Sequence, residues 1–370
     1  MPSDVGIVNV KAAPYNATGD GTTDDTAAIQ AAIDAAFGSA ASPHGTDYYL
    51  NKQLYFPPGH YRADDLLLSK VQGGRILGAG RFVTTIQTLT AGVPAMRTNG
   101  FGYCHVEGIH FQASGSTPVF DLDYDGSGGG AALQSNTFLD CFYQGASFGV
   151  QIAASTFMGS ENLFLNCFFI SHSGAGLLIS ASNALQQTVI GGNFQACGKG
   201  IWVASGSCPI IHGVGFQQSA DYDIRVDNST NSNAMSIQGC RTESTNFYIG
   251  GVPVSIVACA HTSGTATNGD FAVLNGNHAH IQNCYSTHGR LVPKFWVQLR
   301  LAESTFDRAD AFQPDGLWFV PNNATAANIE MESVFFENAH ILRQRVTADP
   351  DEGPTNYLSF DYEVAAGVPH

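Results

Sequence analysis

Apolar positions along this chain recur in short runs of period two, and the runs themselves recur. Four segments show the pattern: "FLDCFYQ" from Phe138, "FLNCFFI" from Phe164, "IQGCRTE" from Ile237 and "IQNCYST" from Ile281. In that alignment one column is Val106, Phe138, Phe164, Val189, Ile211, Ile237, Ile256, Ile281, Leu301 and Met331, without a polar member. Two residues on lies Gly108, Asp140, Asn166, Gly191, Gly213, Gly239, Ala258, Asn283, Glu303 and Ser333, dominated by residue types that tolerate a left-handed backbone, which marks a turn. The next column is small or apolar. Two residues later comes Phe111, Tyr143, Phe169, Phe194, Phe216, Thr242, His261, Ser286, Phe306 and Phe336. The spacing predicts two short strands per repeat, joined by a one-residue bend, with these columns pointing inward.

Successive repeats are separated by 19 residues (Ile237 to Ile256) up to 32 residues (Val106 to Phe138), and Gly/Ser/Asn-rich loops absorb the excess. Variable loops on a constant strand register indicate a solenoid. The expected fold is all-β: a single-stranded right-handed parallel β-helix of about ten or more coils, with strand spacing of about 4.8 Å along a rod on the order of 50 Å long. Five of the eight cysteines, Cys141, Cys167, Cys240, Cys259 and Cys284, share one inward column. They are expected to stack as free thiols, because parallel side chains keep their Cβ atoms apart by more than the usual 3.5–4.5 Å of a disulfide. No CxxC or Cys/His spacing of a metal site occurs.

The segment "GDGTTDDTAAIQAAIDAA" from Gly19 breaks the pattern. Ala28, Ile29, Ala32, Ile33 and Ala36 form one helical face, and Asp24, Asp25 or Thr26 can cap its start. Together with "NVKAAPYNATGDG", "LYFPPGHYR" from Leu54 and "RILGAGRFVTTI" from Arg75, this segment resembles the N-terminal region of the pectate-lyase-like superfamily of right-handed parallel β-helix proteins. That superfamily includes polygalacturonase-related hydrolases, polysaccharide lyases, alginate epimerases and phage tailspikes. The resemblance implies an N-terminal capping α-helix that covers the open end of the coil stack, so the aspartates are read as structural. The expected organisation is a cap over residues 1–53, including a helix at about 24–37, a parallel β-helix over 54–346 and a C-terminal tail or cap over 347–370.

Composition narrows the partners. Charged residues are only 13% and the net charge is −15, with no basic run, so nucleic acid is not an expected partner. The start, Met-Pro-Ser-Asp-Val-Gly, has no basic and apolar leader, and no stretch reaches the roughly 18 apolar residues of a membrane span. A polysaccharide is the expected partner, at an extracellular or virion-associated location, without membrane insertion and with a homotrimer as one assembly.

The specific motifs of polygalacturonases and alginate epimerases are absent: His212-Gly213 and His288-Gly289 lack the preceding glycine, and Asp24-Asp25 lies in the cap. Chemistry is therefore sought on the outward face, where Gln112, Gln144, Gln195, Gln217 and Glu243 follow the inward aromatic column. Amides and carboxylates there suit sugar hydroxyls. Glycoside hydrolysis needs two carboxyl groups about 5–9.5 Å apart. Asp307 and Glu337 occupy matching positions on adjacent coils, and Glu243 with Asp221 and Asp223 forms a second acidic set. Gln217, Arg241, Tyr285, His288 and Arg290 are candidate substrate contacts, the last three in the basic stretch "NHAHIQNCYSTHGRLVPKF", which also suits lyase chemistry. The first reading is a carbohydrate-active glycoside hydrolase without a cofactor. The alternatives are a non-catalytic or receptor-binding trimeric spike, and a polysaccharide lyase, for which Ca²⁺ is the expected cation.

Overall fold

The computed structural model describes residues 6–44, 47–124, 133–152, 159–227, 234–243, 246–262, 270–287, 290–306, 328–336, 339–347 and 359–364. Its strands stack in parallel as a right-handed β-helix. Each middle coil contributes three strands, one more than the repeat pattern predicts. Thr188–Ile190, Asn193–Gln195 and Lys199–Val203 make one coil, and Ile210–His212, Gly215–Gln217 and Tyr222–Val226 the next. Their registers, Val189↔Ile211, Phe194↔Phe216 and Ile201↔Ile224, define a first, a second and a third sheet. The third was hidden from the alignment by the variable loops that precede and follow it.

The bend between the first two sheets follows the predicted column closely. Gly108, Asp140, Asn166, Gly191, Gly213, Gly239, Ala258, Asn283 and Glu303 all have φ between +47° and +68°. At Ser333 the backbone instead continues within the strand Asn328–Phe336. Ala258 and Glu303 carry a Cβ in this region and meet a local cost of about 1–2 kcal/mol, which the flanking strand ladders offset.

Alternation places one side of each strand inside. From Val106 to Leu301 the first inward column is 0–1% exposed. The aromatic column forms a stack through the rod: ring centroids are 5.6 Å apart for Phe111–Tyr143, 5.0 Å for Tyr143–Phe169, 4.5 Å for Phe169–Phe194 and 5.4 Å for Phe194–Phe216. All eight cysteines are free and buried. Burial pushes the Cys104, Cys197 and Cys208 thiols up to about 12, so these are inert apolar groups.

The helix spans Thr26–Phe37 and buries Ile29, Ala32, Ile33, Ala36 and Phe37, the i, i+3, i+4 stripe of an amphipathic helix. It packs beside Leu66–Gln72, the first strand of the third sheet. There the Gln30 carboxamide accepts from Leu67 N at 2.9 Å and donates to Leu67 O at 3.1 Å, satisfying backbone groups on the strand edge. Asp25 is the N-cap residue, but its carboxylate does not bond the helix. It turns back to accept from Thr18 N (2.6 Å), Thr18 Oγ1 (3.0 Å) and Gly19 N (2.9 Å). Asp24 accepts from Thr26 N at 2.9 Å, and Asp20 accepts from Thr22 N and Thr23 N, each at 2.8 Å. Backbone donors thus occupy all three aspartates.

At the other end the strands lengthen. Asp270–Gln282 pairs with both Phe247–Gly250 and Val254–Val257, joining the third and first sheets through one continuous strand. Parallel stacking ends at Asn328–Phe336, whose free edge pairs antiparallel with Ala339–Thr347, itself antiparallel to Ser359–Val364. This antiparallel close gives no signal in the coil alignment.

Candidate functional site

Of the acidic residues singled out from the sequence, Asp307 and Glu337 lie outside the described residues, as does His288. Arg290 begins the strand Arg290–Ala302. The second acidic set does not assemble as expected. Asp223 is fully buried, because the strand Tyr222–Val226 turns Asp223 inward and leaves Tyr222 and Arg225 outward. Asp221 pairs with Lys199 Nζ at 2.8 Å and Arg225 Nη1 at 3.7 Å, while Glu243 pairs separately with Arg241 Nη2 at 2.5 Å. Asp221 and Glu243 are thus held by different cations, and Asp223 lies inside the rod.

The second sheet brings three of the candidate contact residues, Gln217, Arg241 and Tyr285, to one face. Gln87, Gln112, Gln144, Ile170, Gln195 and Gln217 form one register row. Arg241 and Tyr285 share the neighbouring row, two strand spacings apart. Asn193 Nδ2 donates to Gln217 Oε1 at 3.5 Å, and Arg241 and Tyr285 are exposed. The face offers hydrogen-bonding groups, with Glu243 as its carboxylate.

The more reactive arrangement is on the third sheet, which the repeat alignment did not reveal. One register row of this sheet runs Arg97, Asp121, Gln151, Leu178, Trp202, Arg225 and Tyr248 over successive coils. Asp121 lies in the strand Pro118–Leu122 and Asp123 follows just past its end, both partly exposed on either side of the buried Leu122.

Their environments differ. Asp121 Oδ1 is buried with no hydrogen-bond partner among the described residues, whereas Asp123 Oδ1 accepts from Tyr124 N at 2.7 Å. Burial, with the Asp123 and Asp65 carboxylates nearby, pushes the Asp121 carboxyl up to about 6 against the opposing pull of Arg97. Arg97 is itself held by Asp65, Nε to Oδ1 at 2.5 Å. The result is a protonatable carboxylic acid beside a hydrogen-bonded carboxylate and a guanidinium, which can divide acid and base roles. The sequence signal was the Asp-x-Asp spacing at 121 and 123, legible only once residues 118–122 are known to be a strand. Among the described residues no group of three or more His, Cys, Asp or Glu is placed to hold a metal ion.

Comparison with known proteins agrees with this architecture. Residues 7–123 match the family model described as rhamnogalacturonase A/epimerase, pectate lyase-like. A "Non-secreted LysM effector LysM15" of Penicillium expansum is 27% identical over 198 residues, spanning 43% of this chain and 14% of that protein. Similar solved structures include ORF18 of Geobacillus virus E2 (15% identity, TM-score 0.51, covering 99% of this chain and 79% of that one). The gp42 tailspike of Acinetobacter phage vb_AbaP_AS12 gives 11% identity and a TM-score of 0.53, covering 88% of this chain and 63% of that one. The N-terminal fragment of bacteriophage Phi29 gene product 12 gives 12% identity and 0.52, covering 89% and 70%. At these identities the shared property is the parallel β-helix fold.

Proposed function

We propose that this pectate-lyase-like β-helix binds a polysaccharide on its outward face and hydrolyses glycosidic bonds, with Asp121 as general acid and Asp123 as the partner carboxylate. The observation that carries the reading is the pair itself: two neighbouring carboxyl groups in different environments, Asp121 with a buried, unpartnered Oδ1 and a raised carboxyl, and Asp123 with Oδ1 accepting from Tyr124 N. In the proposed step Asp121 gives its proton to the leaving glycosidic oxygen as the anomeric C–O bond breaks. Asp123 takes a proton from the water that attacks the anomeric carbon. Arg97 and Asp65 hold the charge around the pair in place. Outside the described residues, Asp307 and Glu337 stay as a second proposed pair.

The test is release of new reducing ends from a panel of neutral and uronate-containing polysaccharides, with Asp121→Asn, Asp123→Asn, Asp307→Asn and Glu337→Gln assayed beside the parent chain. Loss of activity in the first two variants supports the assignment, and loss only in the last two moves the chemistry to the other pair. A rise in ultraviolet absorbance from unsaturated uronates would replace hydrolysis by lyase chemistry.

The alternative of a trimeric, non-catalytic spike is favoured by a different observation. Leu139, Leu165 and Ile190 stack in register on the outer side of the first sheet, and Phe142 and Phe168 stack on the second. Phe82, 75% exposed, packs edge-on against Phe142 with ring centroids 6.1 Å apart. A partly buried apolar strip with Ile190 and Phe82 exposed at its surface suits self-association. Light scattering on the purified chain tests it, and a monomer that degrades polysaccharide would remove the alternative.

A further inference from the structure

Three coils beyond Asp121 in the same third-sheet row is a cluster that neither the proposed hydrolysis nor the fold uses. Trp202, Arg225 and Tyr248 are direct register neighbours, and Lys199 and Tyr222 are neighbours one row across. The Arg225 guanidinium lies 5.5 Å from the Tyr222 ring centroid and 5.9 Å from those of Trp202 and Tyr248. Tyr222 and Tyr248 are themselves 5.5 Å apart. Arg225 Nε donates to Asp227 Oδ1 at 2.8 Å, and Trp202 Nε1 donates to Asp227 Oδ2 at 2.8 Å. Lys199 Nζ closes the other side on Asp221 Oδ2 at 2.8 Å and sits 4.9 Å from the Trp202 ring centroid. Lys199, Asp221, Arg225, Asp227 and Trp202 thus form one continuous polar chain that fixes three aromatic side chains on an outward face.

Partly exposed ion pairs contribute little to stability, so even a network this complete adds little to a rod that already has a continuous core. Its other physical consequence is preorganisation: the rings and polar atoms are in place before a ligand arrives, which lowers the entropy cost of binding. The chemistry selects the ligand. A pyranose presents C–H groups on its faces and hydroxyls around its edge. Aromatic rings supply an apolar counter-surface with polar tips, and ionised carboxylates accept from hydroxyls. The two cations are matched by two carboxylates, so no unneutralised positive charge awaits an anion, and the chain as a whole carries −15. A uronate or sulfate would have to displace Asp221 or Asp227 against that field.

We propose that the Trp202–Arg225–Tyr248 face is a second glycan subsite, for neutral pyranosyl residues of the same linear chain that reaches Asp121. Three strand spacings put Trp202 about 14 Å and five put Tyr248 about 24 Å from Asp121 along the rod. A chain spanning both places lies parallel to the coil axis, with several sugar units between cleavage site and anchor. The subsite rests on the reading that this protein binds polysaccharide, but not on the identity of the catalytic pair.

The test is titration of the full chain with neutral hexasaccharides (β-1,4-glucan, α-1,4-glucan, β-1,3-glucan and xylan series) and with hexagalacturonate, read by calorimetry. Trp202→Ala, Tyr248→Ala and the conservative Trp202→Phe are measured alongside, with thermal unfolding of each. A neutral hexasaccharide bound at least tenfold more weakly by Trp202→Ala and Tyr248→Ala, with binding partly restored in Trp202→Phe, is the expected result. Binding that is unchanged in Trp202→Ala overturns the subsite, as does absence of binding by every neutral hexasaccharide, or a salt-sensitive preference for hexagalacturonate that depends on Trp202. Trp202-dependent binding without any bond cleavage leaves the subsite standing and removes the hydrolytic reading, whereas cleavage with Trp202-independent binding does the reverse.

Discussion

Asn136 donates from Nδ2 to Asn162 Oδ1 at 2.9 Å, and both carboxamides are fully buried. Asn162 Nδ2 donates in turn to Gln187 Oε1 at 3.0 Å, and Asn136 Oδ1 accepts from the Cys104 backbone N at 3.0 Å. This amide ladder runs through successive coils where the chain turns into the first sheet. It supplies partners for backbone groups that no strand ladder reaches. Replacing its middle member leaves Asn136 and Gln187 each short of a buried partner. Asn162→Ala is expected to lower stability by about 2–4 kcal/mol in urea unfolding, more than Gln187→Ala at the end of the ladder.

The Asp25 carboxylate ties the Thr18–Gly19 loop to the helix start through three hydrogen bonds. Asp25→Ala should lower stability by about 1–3 kcal/mol, and Asp24→Ala, which loses one local bond, by less. Neither should reduce sugar binding or cleavage in the folded protein at 25 °C. An activity loss in a variant of parental stability would return these aspartates to the functional set.

His172 is fully buried, with Nε2 3.2 Å from Tyr143 O, and burial lowers its imidazole to about 4. An unfolded histidine titrates near 6.5, so between pH 6.5 and 4 the unfolded chain holds a proton that the folded chain refuses. Stability therefore falls as pH drops through that window. His110, also lowered to about 4 mainly by burial, acts in the same direction. Asp121, raised to about 6, acts oppositely: the folded chain binds its proton more tightly between about 6 and 3.8. His172→Gln should lose about 2 kcal/mol less than the parent between pH 7 and 4.5, read by urea midpoints at both pH values.

If Asp121 is the acid, its protonated form is the competent one, and kcat/KM should fall tenfold per unit above about pH 6. Asp121→Asn should reduce kcat by at least a hundredfold, on the scale that acid–base catalysis contributes. Asp123→Asn removes a negative neighbour that raises the Asp121 carboxyl, so any residual activity should show its alkaline limb displaced to lower pH. A limb that stays at its parental pH in Asp123→Asn would separate the two residues functionally.

The amino-acid sequence by itself determined the coil: alternation set the inward columns, and residues that accept a left-handed backbone marked the bends from Gly108 to Glu303. It also determined the helix, whose apolar stripe at Ile29, Ala32, Ile33 and Ala36 is read from neighbouring positions alone. These features are legible because strand and helix periodicity are local. The tertiary structure decided which outward residues meet. Arg97 and Asp121, 24 residues apart in the sequence, become register neighbours only because the intervening chain completes one coil, and loops of unequal length conceal that distance. Similarly, Asp223 and Asp221 differ by two positions but not in fate by any local rule: one enters the core and the other pairs with Lys199, because the strand starts between them. Neighbours across coils are fixed by stacking, and stacking is a property of the whole rod.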